Sequence, residues 1–190
     1  MKKLLCAVFA LFGASAIHAQ PEFAYYGLSV GDFEYKEEFL GQEIFSDTGR
    51  SYHLMVGYQF MEHLTVEGGY GKTNTLRGTN DVLFQPPITF SVDFQVLTLR
   101  LLGVLPFDNG LALLGGIAYS DMKQGFTQTN GIQTFSDDQS SNDPSFYAAA
   151  QYNWERFAVR VGFDKRDFGD TPFGEVGEVT ETSITFFYKL

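Results

Sequence analysis

The stretch ETSITFFYKL, Glu181 to Leu190, read as an extended strand, puts Ile184, Phe186, Tyr188 and Leu190 on one side and Ser183, Thr185 and Lys189 on the other. In water such an aromatic ribbon at a sheet edge invites aggregation. In a membrane barrel the same ribbon has lipid outside and a neighbouring strand on each edge. Which solvent it was made for depends on whether the rest of the chain repeats the pattern.

It does. Period-two alternation marks eight segments, at about 23–32, 51–60, 64–71, 94–105, 111–119, 145–152, 157–165 and 181–190. One face is greasy throughout, with Tyr26, Leu28 and Val30, then Tyr52, Leu54 and Val56, then Leu97, Leu99 and Leu101, then Val159, Val161 and Phe163. The other is small or polar, with Gly27, Ser29, Gly31, Ser51, His53, Gly57, Thr65, Glu67, Gly69, Thr98, Arg100, Gln151, Arg160 and Asp164. Arg100 and Arg160 decide which face meets lipid, because an outward cation at the bilayer midplane costs about 2–4 kcal/mol. Both must point inward, which turns the leucine, valine and aromatic face outward. A soluble sandwich would need the opposite arrangement, with glycine, serine and threonine coating its surface.

Connection lengths carry a second signal. Long connections at about 33–50, 72–93, 120–144 and 166–180 alternate with short turns at Met61-Glu62-His63, at 106–110, where Asn109-Gly110 is good turn chemistry, and at Asn153-Trp154-Glu155-Arg156. Outer-membrane barrels have short periplasmic turns and longer outer loops. The expected fold is therefore all-β: an eight-stranded antiparallel up-and-down transmembrane barrel with four long extracellular loops, three short periplasmic turns and both mature termini periplasmic. Phe60, Phe107 and Trp154 should gather at the periplasmic interface as part of an aromatic girdle.

Compartment agrees. Lys2 and Lys3, an apolar stretch from Leu4 to Ala16, and a small residue at Ala19 make residues 1–19 a secretory signal, leaving 20–190 as one barrel domain. Cys6 lies in that signal, so the mature chain has no cysteine. Without Lys2 and Lys3, 11 basic residues face 23 acidic ones, a mature charge of −12 that argues against nucleic acid as a partner. No mature apolar run reaches the length of a spanning helix.

The lumen of an eight-stranded barrel is just wide enough for its own side chains to fill. Glu67, Arg100, Arg160, Asp164, Tyr147, Gln151 and Phe187 should enter it, and buried charges must pair. Glu67, Arg100, Arg160 and Asp164 are thus expected to form a hydrogen-bonded network that plugs the barrel; the alternative is a small pore. The mature histidines are His53, expected in the outer half of the lumen, and His63, in a turn. Neither has a serine or carboxylate at a spacing that suggests acid-base or nucleophilic chemistry, so no enzyme, cofactor or metal is expected. Asp137, Asp138 and Asp143 read as a solvated acidic loop, and Asp164, Asp167 and Asp170 as a charged strand end at the outer rim, where cation bridging to lipopolysaccharide is the sharper reading. Phe39, Phe45, Phe84, Phe126, Phe135 and Phe173 fall in the polar connections, as rings exposed for contact or as parts of mobile connectors.

The segments YYGLSVGDF, SYHLMVGYQF, LTVEGGYG, VLTLRLLGVLPF, GLALLGGIAYS, FAVRVGFD and ITFFYKL resemble the small outer-membrane β-barrel domains of the OmpA/OmpX-like family. The resemblance covers Glu22 to Leu190. It implies a non-enzymatic protein of a Gram-negative outer membrane with a structural or surface-interaction role, monomeric, in contact with outer-membrane lipid, lipopolysaccharide and an unidentified external partner. ETSITFFYKL is also similar to the terminal strand read by the barrel assembly machinery, with Ile184, Phe186, Tyr188 and Leu190 as its outward residues and Leu190 where an aromatic is usual.

Overall fold

The computed structural model describes residues 23–39, 42–80, 88–168 and 177–190; the signal segment 1–19 lies outside them. Nine antiparallel strands run in chain order: β1 (Phe23–Phe39), β2 (Gln42–Met61), β3 (Leu64–Thr73), β4 (Leu76–Asn80), β5 (Ile88–Pro106), β6 (Leu111–Thr129), β7 (Thr134–Trp154), β8 (Phe157–Phe168) and β9 (Gly177–Lys189). β3 and β4 both pair with β5, one below the other, so they occupy a single place in the sheet. The β3–β5 pairing closes the order β3-β2-β1-β9-β8-β7-β6-β5 into a ring of eight. The last strand pairs with the first, from Tyr25 opposite Lys189 to Glu37 opposite Gly177. With every edge taken in this ring, the backbone needs no water to satisfy it.

Turn chemistry fixes the short-turn end. Gly110 adopts φ +84°, and Asn109 Oδ1 accepts the Leu111 amide at 3.1 Å. Glu155 also takes a left-handed conformation, φ +41°, in the tight turn from β7 to β8. Around this end an outer aromatic belt forms about Trp154, which stacks on Phe157 and meets Tyr152, while Phe157 and Tyr26 both contact Tyr188.

The strands run much further than the greasy alternation predicts. Most of the expected connections at 33–50, 72–93 and 120–144 are ladder, and β6 and β7 pair without a break from Leu111–Tyr152 to Thr129–Thr134. The described tip of that hairpin is built rather than loose: Asn130 Oδ1 accepts the amides of Ile132 and Gln133, and Thr129 Oγ1 accepts that of Gly131. The expected exposure of the connection rings is corrected in the same way. Phe45 and Phe126 are buried inside the barrel, Phe135 is exposed, and the side chains of Phe39, Phe84 and Phe173 lie outside the described residues.

The physical reason is a reversal of polarity along each strand. Tyr26, Leu28 and Val30 are exposed, yet two positions on, the outward residues are Asp32, Glu34 and Lys36, while Phe33 and Tyr35 point inward at 0 % exposure. β5 and β6 reverse at the same level, with Gln95 and Asp93 outside against Phe94, Val92 and Phe90 inside, and Lys123 outside against Met122 and Phe126 inside. An alternation defined as greasy-outward ends where this exchange occurs.

Candidate functional site

The reversal divides the interior into three layers. Nearest the short turns, Tyr25, Met55, Ala158 and Phe187 pack together, beside a second cluster of Leu102, Ala112, Leu114 and Tyr147. Nearest the long connections, Phe33, Tyr35, Phe45, Leu76, Phe90, Phe94, Met122, Phe126 and Val179 form one apolar core. Between them lies a belt of charge.

Glycine makes room for that belt. A Cβ on Gly162 would collide with the Tyr147 hydroxyl, and one on Gly71 with the His53 ring, so the small residues of the inward face are the spaces their bulky neighbours fill. Glu67 on β3 receives Arg160 Nη1 from β8 across the lumen at 2.6 Å and the Tyr25 hydroxyl at 2.5 Å. Arg160 also donates from Nε to Gln151 Oε1 at 2.9 Å, and Gln151 Nε2 donates in turn to Asn153 Oδ1 at 2.7 Å. Arg100 stands opposite Glu67 in the β3–β5 register, but its guanidinium is 3.9 Å away and instead lies over the Tyr147 ring at 4.1 Å. From there it reaches Asp164 Oδ2 at 3.7 Å.

Asp164 and Glu181 face each other in the β8–β9 register, an arrangement that would repel if left alone. Arg166 joins them, donating from Nη2 to Asp164 Oδ2 at 2.9 Å and to Glu181 Oε2 at 3.2 Å. Ser51 and His53 Nε2 then close on Glu181 Oε1, each at 2.6 Å. All these charged side chains are buried. The structure therefore brings Glu67, Arg100, Arg160 and Asp164 together and extends the chain of contacts through Arg166 to Glu181, Ser51 and His53.

Arg166, Glu181 and the Ser51–His53 pair were missed as site residues, although period two contains them. Arg160, Gly162, Asp164 and Arg166 share one face, as do Glu181, Ser183 and Thr185; Ser51 and His53 are likewise two apart. Arg166 lies within the Asp164–Asp170 stretch that reads from sequence as a charged strand end. Asp164 is accordingly not a rim residue but 2 % exposed within the barrel, Asp167 is exposed on the other face, and Asp170 lies outside the described residues.

Folding thus supplies the serine, histidine and acid that sequence spacing lacked, but in the wrong order for nucleophilic catalysis. A triad needs the hydroxyl bonded to the imidazole and the acid on the far ring nitrogen. Here hydroxyl and imidazole converge on the same carboxylate oxygen, and Ser51 is fully buried. The arrangement holds a carboxylate; it does not activate a hydroxyl. Asp137 and Asp138 are exposed on successive positions of β7, which point to opposite faces. Among the described residues no cluster of three or more histidine, cysteine, aspartate or glutamate side chains could hold a metal. His63 sits exposed in its turn, its Nδ1 3.1 Å from the Val104 carbonyl.

Ile184 and Phe186 of β9, and Leu190 just beyond it, are exposed, and Tyr188 is half-buried in the aromatic belt. No helix among the described residues is long and apolar enough to cross a membrane. No curated protein matches the chain in sequence. Among solved structures, Neisserial surface protein A superposes with a TM-score of 0.65 at 13% identity, covering 88% of this chain and 97% of that one. The attachment invasion locus protein Ail of Yersinia pestis, in complex with the heparin analogue sucrose octasulfate, gives 0.57 at 17% identity over 88% and 99%. At these identities the likeness speaks to fold. A family model matches residues 4–189, nearly the whole sequence, and on that match the chain belongs to the outer membrane protein beta-barrel domain family.

Proposed function

We propose that the protein is a closed, non-enzymatic barrel, inserted as a monomer with its short turns toward the periplasm, whose protruding half presents a rigid surface to external partners. The observation that carries this reading is the stack of interior layers. Phe33 and Tyr35 of β1 each meet Phe94 of β5 across the lumen at 5.1 Å, and neighbouring strands add Tyr35 against Phe45 at 5.8 Å and Phe90 against Phe126 at 5.9 Å. Beneath them Glu67, Arg100, Arg160 and Asp164 serve as a structural network that ties opposite walls together. Near the short turns a cavity of about 20 Å³ beside Tyr25, Gln151 and Arg160 has room for about one water molecule.

The outer hairpins carry Asp32, Glu34, Asp137 and Asp138 on a mature chain of charge −12. That charge repels a polysulfated ligand such as the one bound to Ail, so the expected external partner is neutral or basic. Ile184, Phe186, Tyr188 and Leu190 are the residues proposed to be read by the barrel assembly machinery; removing Phe186 to Leu190 should abolish insertion.

Reconstitution in planar bilayers tests the closed lumen. Small or absent single-channel currents are expected. Large, steady conductance would overturn the proposal in favour of a small pore.

A further inference from the structure

Asn-Gly occurs twice in the chain, at Asn109-Gly110 in the short turn between β5 and β6 and at Asn130-Gly131 in the tip of the β6–β7 hairpin. Glycine has no Cβ to hold its nitrogen away from the preceding side-chain amide, so this dipeptide is the one most open to ring closure. Asn74, Asn80, Asn142 and Asn153 are each followed by a residue with a side chain. Exposure does not favour the tip, since Asn109 is exposed and Asn130 half-buried. The surroundings of each glycine nitrogen separate the two.

In the short turn the nitrogen is held. Gly110 N–H donates to the Phe107 carbonyl at 3.1 Å, and the Gly110 carbonyl accepts the Asn153 amide at 2.8 Å. A Cβ on Gly110 would stand 2.7 Å from the Asn153 carbonyl oxygen, so β7 crowds this turn. At the hairpin tip Gly131 N–H donates only to a hydroxyl, Thr129 Oγ1 at 3.2 Å, and nothing lies within 4 Å of where its Cβ would sit. Asn109 Oδ1 accepts the Leu111 amide at 3.1 Å, whereas Asn130 Oδ1 accepts two amides, of Ile132 at 3.0 Å and Gln133 at 2.8 Å. Two N–H groups on one carbonyl oxygen polarise it and stabilise the negative charge that develops there when Cγ is attacked. A pocket of about 410 Å³ bordered by Gln128, Asn130, Gln133 and Phe135 brings water to the same amide.

We propose that Asn130 is a site of spontaneous deamidation through a succinimide closed by the Gly131 nitrogen, and that the fold protects Asn109 from the same reaction. Hydroxide takes the Gly131 amide proton, the nitrogen bonds to Asn130 Cγ and the Cγ–Nδ2 bond breaks. Ammonia leaves with a proton from water, which regenerates the hydroxide. Water then adds to one of the two ring carbonyls, and the ring opens to an aspartyl or an isoaspartyl residue at position 130. One water is consumed and one ammonia released, with no change of oxidation state. Each event adds a negative charge to the tip, and the isoaspartyl product also lengthens its backbone by one carbon.

The test incubates the full mature barrel, folded by the heat-modifiability criterion, at mildly alkaline pH beside the same chain unfolded in urea, and maps both by peptide mass spectrometry. Each site is compared with its own rate in urea, which removes the effect of local sequence. Folding should slow Asn109 about tenfold or more, while Asn130 stays near its urea rate. Isoaspartyl product should appear in the Asn130 peptide, read by enzymatic methyl-ester labelling. Gly131→Ala, which puts a Cβ beside the attacking nitrogen, should slow conversion at Asn130 about tenfold and leave Asn109 as it was. Protection of Asn130 equal to or greater than that of Asn109 overturns the proposal. Conversion at Asn130 that yields aspartyl product alone, or that continues undiminished in a folded Gly131→Ala barrel, overturns the succinimide route and the proposal with it.

Discussion

Within β1, the half ending at Gly31 and the half beginning at Asp32 are built for different solvents. The first exposes Tyr26, Leu28 and Val30 and points Gly27, Ser29 and Gly31 inward; the second exposes Asp32, Glu34 and Lys36 and buries Phe33 and Tyr35. The backbone does not change, since both halves continue the same ladders to β2 and β9. What changes is the medium outside. Facing lipid, apolar side chains gain nothing by turning inward, so the lumen can hold charge if every charge is paired. Facing water, the same strands obey ordinary globular logic, and the protruding half packs a core of aromatic rings.

The two interiors should therefore break differently. Glu67→Ala removes the carboxylate that Arg160 and Tyr25 share and leaves a fully buried guanidinium, a loss of about 3–5 kcal/mol. Phe33→Ala removes a fully buried ring from the aromatic core, a loss also of about 3–5 kcal/mol. Urea unfolding followed through the single Trp154, near the short turns, separates them. Glu67→Ala should shift the whole transition, whereas Phe33→Ala should shift proteolysis of the protruding hairpins before it shifts the tryptophan signal. Identical shifts on both probes would mean that the halves fold as one cooperative unit.

On the outer wall the contrast is sharper. Leu28→Arg puts a cation against lipid and should cost about 2–4 kcal/mol, while Glu34→Arg, three rows higher in water, should cost under about 1 kcal/mol. Folding yield into vesicles measures both. A large penalty for Glu34→Arg would move the membrane boundary outward past that row.

This division explains what the sequence could and could not disclose. Eight strands, their closure and the inward direction of Arg100 and Arg160 were legible because lipid imposes one alternation on every segment it touches. The extensions were not, because Phe33-Glu34-Tyr35 and Phe90-Ser91-Val92-Asp93-Phe94 alternate just as regularly in the opposite sense, and a search for greasy outward faces reads the change as a loop. Polar composition reinforced the error, since Ser, Thr and Asp on a water-facing strand look like connector residues. For the charged belt, Glu67, Arg100, Arg160 and Asp164 could be placed by parity alone. Glu181 and His53 needed the register, because no spacing along the chain shows that β9 and β2 meet over one carboxylate.

The smallest expected effect lies in the water-facing half and depends on pH. Tyr35 is fully buried; that burial first, and the Glu37 carboxylate beside it second, push its phenol up from the ordinary value. Its hydroxyl donates to Glu37 Oε2 at 3.1 Å and accepts from Gln124 Nε2 at 3.4 Å. A folded-state pKa above the unfolded one means that the neutral phenol's contribution is complete below about pH 10 and is lost as pH rises from there, because the unfolded chain releases the proton first. Stability of the protruding half, followed by limited proteolysis, should therefore fall in alkaline solution. Tyr35→Phe should flatten that fall while lowering stability at neutral pH through the lost hydrogen bonds. The difference between wild type and variant isolates this phenol, and an unchanged alkaline slope would place Tyr35 in contact with water.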